Sequence, residues 1–280
     1  GDSPAPVDII TGSDFVNQGA MDLPDMIRTL VPSFNVNTQP ISDAATLIRP
    51  ANLRGLPPDN MLVLVNGKRR HRGAVISFLG SGISDGAQGP DISAIPSIAL
   101  KQVEVLRDGA SAQYGSDAIA GIMNFVLRDD SEGTQLEIRT GEYKEGDGDA
   151  WRVAANIGMP FTSSGFANFS VELQDSQATS RSVQRADAQG LYDGGNTAIW
   201  NYPEPAQIWG SPDVSDDYKF VVNIGLSLDE SKDFYLFGNY GERNVLGGFF
   251  FRNPTNRGGV FSTDGGATRL VVDVAEASTG

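Results

Sequence analysis

The chain of 280 residues carries 21 basic and 35 acidic side chains, which gives a formal net charge of −14. This acidic balance argues against a nucleic-acid partner, because phosphate binding requires a basic surface. The absence of cysteine excludes disulfide scaffolds and thiolate metal sites, and one histidine, His71, cannot build a histidine-rich metal centre. We therefore expect no metal and no cofactor. No run of about 18 apolar residues is present, so no transmembrane helix is predicted.

Residues 1–130 have the pattern of an α/β unit. Val7–Thr11 is a short extended segment, and Asp22 is the expected N-cap of a helix that Pro32 ends. Met61–Val65 is an unbroken apolar run that predicts a buried strand, and Asn66-Gly67 directly after it predicts a tight hairpin turn. Two further strands are expected at Val103–Leu106 and Gly121–Leu127.

From residue 134 onwards the apolar side chains follow a two-residue period. In Trp151–Met159 the odd-numbered residues are Trp, Val, Ala, Ile and Met, and the even-numbered ones are Arg, Ala, Asn and Gly. Such alternation is typical of strands that place one face in an apolar environment. The strands predicted in this way are Thr134–Gly141, Trp151–Met159, Ala167–Leu173, Phe220–Leu228 and Phe234–Tyr240.

The connections between these strands alternate in length, with short turns over Pro160–Gly165 and Asp229–Asp233 and a long loop over Gln177–Asp216. Short turns at one end and longer loops at the other predict the tilted strands of a transmembrane β-barrel. A soluble β-sandwich also has alternating strands, so the alternation alone leaves both folds open. Five strands leave two open edges, which a bilayer does not tolerate, and we expect the chain to be part of a longer protein.

Three blocks of sequence, in order, carry a resemblance to a known family. They are Pro4–Val31, Leu53-Arg54-Gly55 followed by Met61–Lys68, and Val103–Phe125. These blocks are similar to the plug domain of TonB-dependent outer-membrane transporters. The resemblance implies an α+β plug domain over residues 1–130, with a small mixed sheet and short helices. Antiparallel transmembrane β-barrel strands would follow over residues 131–280, about five in number, so that the barrel is incomplete in this chain.

The function implied by the resemblance is energy-dependent import of a bulky, scarce nutrient, such as a siderophore or an oligosaccharide, across a Gram-negative outer membrane. The expected partners are TonB with its inner-membrane energising proteins, the small-molecule or oligosaccharide ligand, and outer-membrane lipid. We expect no catalysis. Two other classes stay open, namely a soluble secreted carbohydrate-binding β protein with an α/β cap and a hydrolase. A transporter-like sensor is a variant of the first interpretation.

Two arginines, Arg54 and Arg107, fall where members of the family carry plug arginines that pair with glutamates on the inner barrel wall. Guanidinium groups form bidentate, desolvated pairs, so such a contact would act as a latch between plug and barrel. The glutamates are expected beyond residue 280. Arg107 is followed by Asp108-Gly109-Ala110, where many members have Gly-Pro. The alternative is two surface arginines of little energetic weight.

Ligand contacts are expected from two loops, Gly73–Asp91 and Gln177–Asp216, because apical plug loops and external loops form the binding surface in the family. Aromatic side chains in the second loop suit stacking on sugars or aromatic siderophores. The isolated basic cluster would suit an anionic ligand, although a solvated turn is the simpler explanation. The predicted ligand contacts are Lys68, Arg69, Arg70, His71, Arg72, Trp200, Tyr202 and Trp209. The residues expected to serve backbone geometry alone are Asn66, Gly67, Gly109, Gly115 and Gly121.

Overall fold

The computed structural model describes residues 7–36, 45–77, 82–107, 111–195 and 210–247. The helices and strands fall into an N-terminal unit, residues 7–127, and a following sheet that we call the wall. In chain order they are β1 (Val7–Thr11), α1 (Gly12–Val16), α2 (Leu23–Leu30), β2 (Phe34–Val36), α3 (Ala45–Ile48), β3 (Ala51–Leu53), β4 (Met61–Val65), β5 (Lys68–Arg69), β6 (Leu100–Leu106), α4 (Ser111–Tyr114), β7 (Gly121–Leu127), β8 (Thr134–Gly141), β9 (Ala150–Pro160), β10 (Gly165–Ser176), α5 (Ala186–Asp193), β11 (Asp213–Asp229) and β12 (Lys232–Leu246).

The N-terminal unit is built on a small mixed sheet of order β1-β6-β7-β4-β5. Strand β4 runs parallel to β7, and the other neighbours are antiparallel. All five residues of β4 are buried because apolar side chains cover both of its faces. Its odd-numbered residues join the main core around Phe125, and its even-numbered residues join a second cluster with Ile122.

Local sequence explains the two best-defined elements of this unit. Helix α2 begins as predicted at Asp22, whose Oδ1 accepts a hydrogen bond from the Asp25 amide at 3.0 Å, and its buried face includes Met26 and Ile27. Asn66 and Gly67 have φ angles of 48° and 73° and join β4 to β5. Positive φ at both central residues is what a type I′ hairpin turn requires.

The wall is a five-stranded antiparallel sheet of order β12-β11-β10-β9-β8. Its outward face is apolar and exposed; Leu136 and Ile138, for example, are 64% and 67% exposed. Its inward face is polar and covered by the N-terminal unit, as shown by buried Arg152, Glu172 and Lys219. This arrangement is the inverse of a water-soluble protein, where the apolar face of a sheet is the buried one.

The wall has two ends, defined by how its strands connect. At the turn end lie the short connections 161–164 and 230–231, and at the loop end lie the connections 142–149 and 177–212. The predicted mixed sheet followed by antiparallel strands is therefore confirmed. The last two strands are longer than predicted: β11 begins at Asp213 and β12 reaches Leu246. Among the described residues, none of the helices is long and apolar enough to cross a membrane.

Candidate functional site at the contact between the small sheet and the wall

A group of buried charges lines the inward face of the wall. Arg152 on β9 lies between Glu172 on β10, with Nη2 2.5 Å from Oε2, and Glu137 on β8, with Nη1 3.0 Å from Oε2. Lys219 on β11 approaches the other Glu172 oxygen at 2.7 Å. The same Arg152 donates to the Ser97 hydroxyl at 2.7 Å, so the group reaches from four strands into the N-terminal unit.

The charged group continues across the wall toward β12. Asp217 lies 3.5 Å from Lys219 Nζ and 3.2 Å from Arg243 Nε, with its side chain 1% exposed. Arg243 also donates to the backbone carbonyl of Leu47 at 3.4 Å, beside the end of α3. Cations and carboxylates therefore alternate along this face, which is how buried charges are tolerated.

Arg139 on β8 makes a different kind of contact with the N-terminal unit. Its guanidinium donates to four backbone carbonyls in and after α1, while Glu137 lies 3.5 Å away on the same strand. The acceptors are the carbonyl oxygens of Gln18 and Ala20, at 2.6 and 3.1 Å from Nη1, and those of Phe15 and Val16, at 3.0 and 3.2 Å from Nη2.

The β4–β5 hairpin is a second docking point. Alternate residues of the hairpin, Asn66, Lys68 and Arg70, face the wall. Their respective partners are Asn223 Oδ1 at 3.2 Å, the ring centroid of Tyr235 at 5.4 Å and Asn239 Oδ1 at 2.6 Å. The hairpin is also tied to its own sheet, because the Asn66 Oδ1 accepts from the Leu127 amide at 2.8 Å.

The predicted basic cluster is thus divided between two surfaces. Arg69 forms an ion pair with Asp117 inside the N-terminal unit, and Arg72 lies 3.8 Å from Asp59 and 3.9 Å from Asp117. His71 is exposed. Desolvation by burial lowers the pKa of Arg70, whose Nε has no hydrogen-bond partner. Alternation along an extended segment separates these side chains, so the five residues do not form one basic surface.

Arg54 and Arg107 lie next to each other, and the contact between them is a hydrogen bond from the side chain of Arg54 to the backbone of Arg107. Arg54 Nη1 donates to the Arg107 carbonyl at 2.8 Å, and Arg107 Nη2 lies 2.5 Å from Asp8 on β1. Arg54 is exposed and has a φ angle of 57°. Within the described part of the chain, neither guanidinium contacts a glutamate.

The residues predicted for backbone geometry are partly described. Gly121 has a φ angle of +140°, and a Cβ placed there would lie 2.3 Å from the Leu106 carbonyl oxygen, so the site requires glycine. Gly115 has a φ angle of +88° with open space around it. Gly109 and the three aromatic side chains Trp200, Tyr202 and Trp209 lie outside the described residues.

A cavity of about 460 Å³ opens between α2 and the loop end of the wall. Its charged lining consists of Asp22, Asp25, Arg28, Arg49, Glu142 and Arg243. Arg49 forms an ion pair with Asp22 and places Nη2 3.0 Å from both Asp25 oxygens. Three cations therefore face three carboxylates, so the charges of the lining balance and do not by themselves favour an anion or a cation as occupant.

The two aspartates of this cavity differ in acidity. Burial alone would raise the pKa of Asp22, but Arg49, the Asp25 amide and Arg243 together hold that pKa below its usual range. Burial, followed by the charge of Asp22, raises the pKa of Asp25 against the opposing effect of Arg49. Opposite shifts in neighbouring carboxyls are what unequal sharing of one cation produces.

Sequence reasoning did not find Arg139, Arg152 or Glu172. The signal was present, because Arg139 and Arg152 are cross-strand partners at inward positions of two predicted strands. An arginine at the polar position of an alternating strand is expected to face water, unless another part of the protein is known to cover that face of the sheet.

A small mixed sheet held against the polar face of an antiparallel wall, whose apolar face points outward, defines the class of plugged barrels. The comparisons agree. Residues 1–122 match the family model "TonB-dependent Receptor Plug Domain". Residues 1–122 are therefore a plug domain of the kind that this family model describes, and the N-terminal unit corresponds to that plug.

Similar proteins include a ferric enterobactin receptor, PirA, of Pseudomonas aeruginosa, 32% identical over 44% of this chain and 16% of the relative. A probable TonB-dependent siderophore receptor, PirA, of Acinetobacter baumannii is 29% identical over 50% of this chain and 18% of the relative. The chain thus spans less than a fifth of the length of these curated relatives.

Solved structures show the same fold. A variant of the ferric enterobactin receptor PfeA from Pseudomonas aeruginosa, in complex with enterobactin, superposes with a TM-score of 0.63 at 18% identity, over 87% of this chain and 34% of that one. The siderophore receptor PirA from Acinetobacter baumannii gives a TM-score of 0.60 at 20% identity, over 85% and 32%. The wall accordingly corresponds to part of a barrel.

Proposed function

We propose that the whole protein is an outer-membrane, TonB-dependent transporter that imports a bulky, scarce nutrient. The observation that carries the proposal is the inverted wall, with its apolar face exposed and its charged face buried against the plug. A lipid environment favours that distribution, because strands exposed to water place their polar side chains outward. In this proposal residues 1–130 are the plug and residues 131–280 begin the barrel.

The proposed ligand is a ferric siderophore. Relatives named for ferric enterobactin and siderophores support this class. The cavity is a better candidate than the basic cluster, because Lys68 and Arg70 face the wall and Lys68 lies toward its turn end. Trp200, Tyr202 and Trp209 stay predicted ligand contacts. TonB-dependent receptors are not enzymes, and we assign no chemical step to the plug.

Arg54 and Arg107 stay predicted latch residues. Their contacts with each other and with Asp8 leave guanidinium nitrogens available for further acceptors, since each guanidinium has five N–H donors. Glutamate partners would lie outside the described residues. TonB is the proposed source of energy, acting on the segment before β1.

The first test is expression of the whole gene product, followed by envelope fractionation and electrophoresis with and without heating. Outer-membrane recovery with heat-dependent migration is expected. Uptake of radioactive iron as ferric enterobactin should then require both the protein and TonB. Recovery in the soluble periplasm without detergent would overturn the transporter proposal and favour the soluble binding protein. Normal membrane recovery without iron uptake would overturn the ligand class alone.

A further inference from the structure

Arg139 on β8 joins the wall to the plug through its side chain. Its side chain crosses from the wall to the plug and donates to the carbonyls of Phe15, Val16, Gln18 and Ala20 within one short stretch of chain. The side chain is 15% exposed, so these bonds are largely sheltered from water. A planar guanidinium has five donors in a fixed fork, and a group of four carbonyls matches it closely.

Two of these carbonyls, those of Phe15 and Val16, belong to the last turn of α1, and those of Gln18 and Ala20 lie just after the helix. The Phe15 carbonyl also accepts from the Gln18 amide at 3.1 Å. Helix α1 has five residues, Gly12–Val16, so its last carbonyls cannot all be satisfied within the helix. No basic residue lies in its last turn. Arg139, more than 100 residues later in the chain, supplies both the donors and the positive charge that a helix C-terminus favours.

The stretch held by Arg139 directly follows an edge strand. Among the described residues, strand β1 pairs with β6 on one side and has no neighbouring strand on the other. Val7 and Ile9 on β1 are 40% and 59% exposed, so little burial holds this strand in place. A pull on the chain before β1 would therefore open the β1–β6 ladder first and then reach α1.

The other docking point is built differently. The β4–β5 hairpin contacts the wall through Asn66, Lys68 and Arg70, and its strand β4 lies inside the sheet between β7 and β5. The hairpin is thus fixed to the wall and to the core together. Among the described residues, the hydrogen bonds between the N-terminal segment, residues 7–20, and the wall are those of Arg139.

We propose that Arg139 is a positioning residue that fixes the N-terminal segment of the plug to the wall and sets how far a pull on the N-terminus opens the plug before it meets resistance. The proposed role in resisting a pull rests on the proposed TonB-driven function, whereas the hydrogen bonds of Arg139 to the N-terminal segment do not depend on that function. Loss of Arg139 releases the segment and leaves the hairpin in place.

The test uses the whole protein in detergent or vesicles and compares Arg139→Gln, Arg139→Lys and a control. Lys232→Gln is the matched control, because Lys232 is a wall cation, 70% exposed, that pairs only locally with Asp229. Hydrogen–deuterium exchange is followed in residues 7–20 and in residues 61–70. We expect about tenfold or faster exchange in the first region for Arg139→Gln and no change in the second. Arg139→Lys should fall between, since an ammonium cannot span four carbonyls.

Force spectroscopy gives the second readout, with the whole protein pulled from its N-terminus. In the wild type we expect extension of the chain to pause before α1 is released, because Arg139 still holds that helix. In Arg139→Gln the first pause should come at a greater extension, longer by about 3.3–3.6 Å for each additional residue freed. Unchanged exchange in residues 7–20, an equal rise in both regions, or an unshifted first pause would overturn the proposal. If Arg139→Gln does not assemble, Arg139→Lys carries the same comparison. Neither readout involves iron uptake, so failure of the proposed function leaves the result interpretable.

Discussion

Arg152 and Glu172 form an ion pair on neighbouring strands of the wall, with 0% and 3% of their side chains exposed. Glu172 receives Lys219 on its other oxygen, so one carboxylate pairs with two cations, and Glu137 supplies the second negative charge at Arg152. Because Arg152 also donates to Ser97, the pair is shared between wall and plug. Stability of the wall and seating of the plug therefore depend on the same charges.

Glu172→Gln tests this dependence. The substitution keeps the shape of the side chain but leaves Arg152 and Lys219 buried with one carboxylate fewer. Removing one partner of a buried pair costs on the order of 3–5 kcal/mol. We expect a clear fall in the denaturant midpoint of the whole protein, read from its heat-modifiable band.

The control for Glu172→Gln is Lys232→Gln, where an exposed pair worth under about 1 kcal/mol is lost. If the two substitutions lowered the denaturant midpoint equally, the buried charges would not contribute more to stability than the exposed pair, contrary to this prediction.

Gly121 and Gly115 offer a matched comparison within the plug. Both have positive φ, but a Cβ at Gly121 would lie 2.3 Å from the Leu106 carbonyl oxygen and 2.8 Å from Leu53 Cδ2, whereas Gly115 has open space. Gly115→Ala should cost about 1–3 kcal/mol from backbone strain alone, because its φ of 88° and ψ of −174° lie in a region that essentially only glycine adopts. Gly121→Ala adds a steric clash in the core, and we expect the plug to lose its protection from protease.

For this pair of variants, limited proteolysis of the plug in the assembled protein is the measurement. Similar protease resistance of both variants would show that the β6–β7 contact yields more easily than its geometry implies.

Much of the fold followed from the sequence because the local signals agree with the final environment. The Asp22 cap, the apolar run Met61–Val65 and the Asn66-Gly67 turn specify their elements whatever surrounds them. The alternation in Trp151–Met159 likewise fixed which side chains share a face. What alternation does not fix is which face is covered.

The candidate site was harder to predict for the same reason. Arg139 and Arg152 become interior residues only when the plug covers the polar face of the wall. The basic cluster shows the same limit, since an extended chain turns neighbouring residues to different sides and the sequence does not say what each side meets. Contacts between distant segments, such as Arg70 with Asn239, have no local signature.

The paired aspartates of the loop-end cavity predict a pH effect. The pKa of Asp22 is lowered in the folded protein, so its carboxylate stabilises the fold at about pH 7 and that contribution is lost as pH falls through the folded pKa. The pKa of Asp25 is raised, so its carboxylate opposes folding at about pH 7 and the opposition ends on protonation. Asp22→Asn should therefore destabilise the protein more than Asp25→Asn at neutral pH.

The difference between these two variants should shrink as the pH approaches the ordinary aspartate value of 3.8. Thermal unfolding midpoints of the two variants, measured from neutral pH down to this value, show which variant is the less stable and whether the difference shrinks. A larger loss for Asp25→Asn at neutral pH would show that its bidentate contact with Arg49 outweighs the cost of burying its charge.

The outward face of β11 distinguishes a membrane protein from a soluble one. Phe220 lies near the middle of this strand, and Leu228 lies at its turn end; they are 43% and 61% exposed. In a bilayer, arginine costs about 2–4 kcal/mol at the midplane and about 0–1 kcal/mol near the interface. Phe220→Arg should then destabilise the protein much more than Leu228→Arg.

In a soluble protein the order would not hold, because surface substitutions usually stay within about 0.5 kcal/mol wherever they lie. Reversible unfolding in vesicles measures both variants against the wild type. A depth-dependent cost supports a lipid-facing wall, and it does so without any assumption about ligand or TonB. Two small and equal effects would contradict the membrane assignment, because exposed apolar strands would then have no environment that favours them.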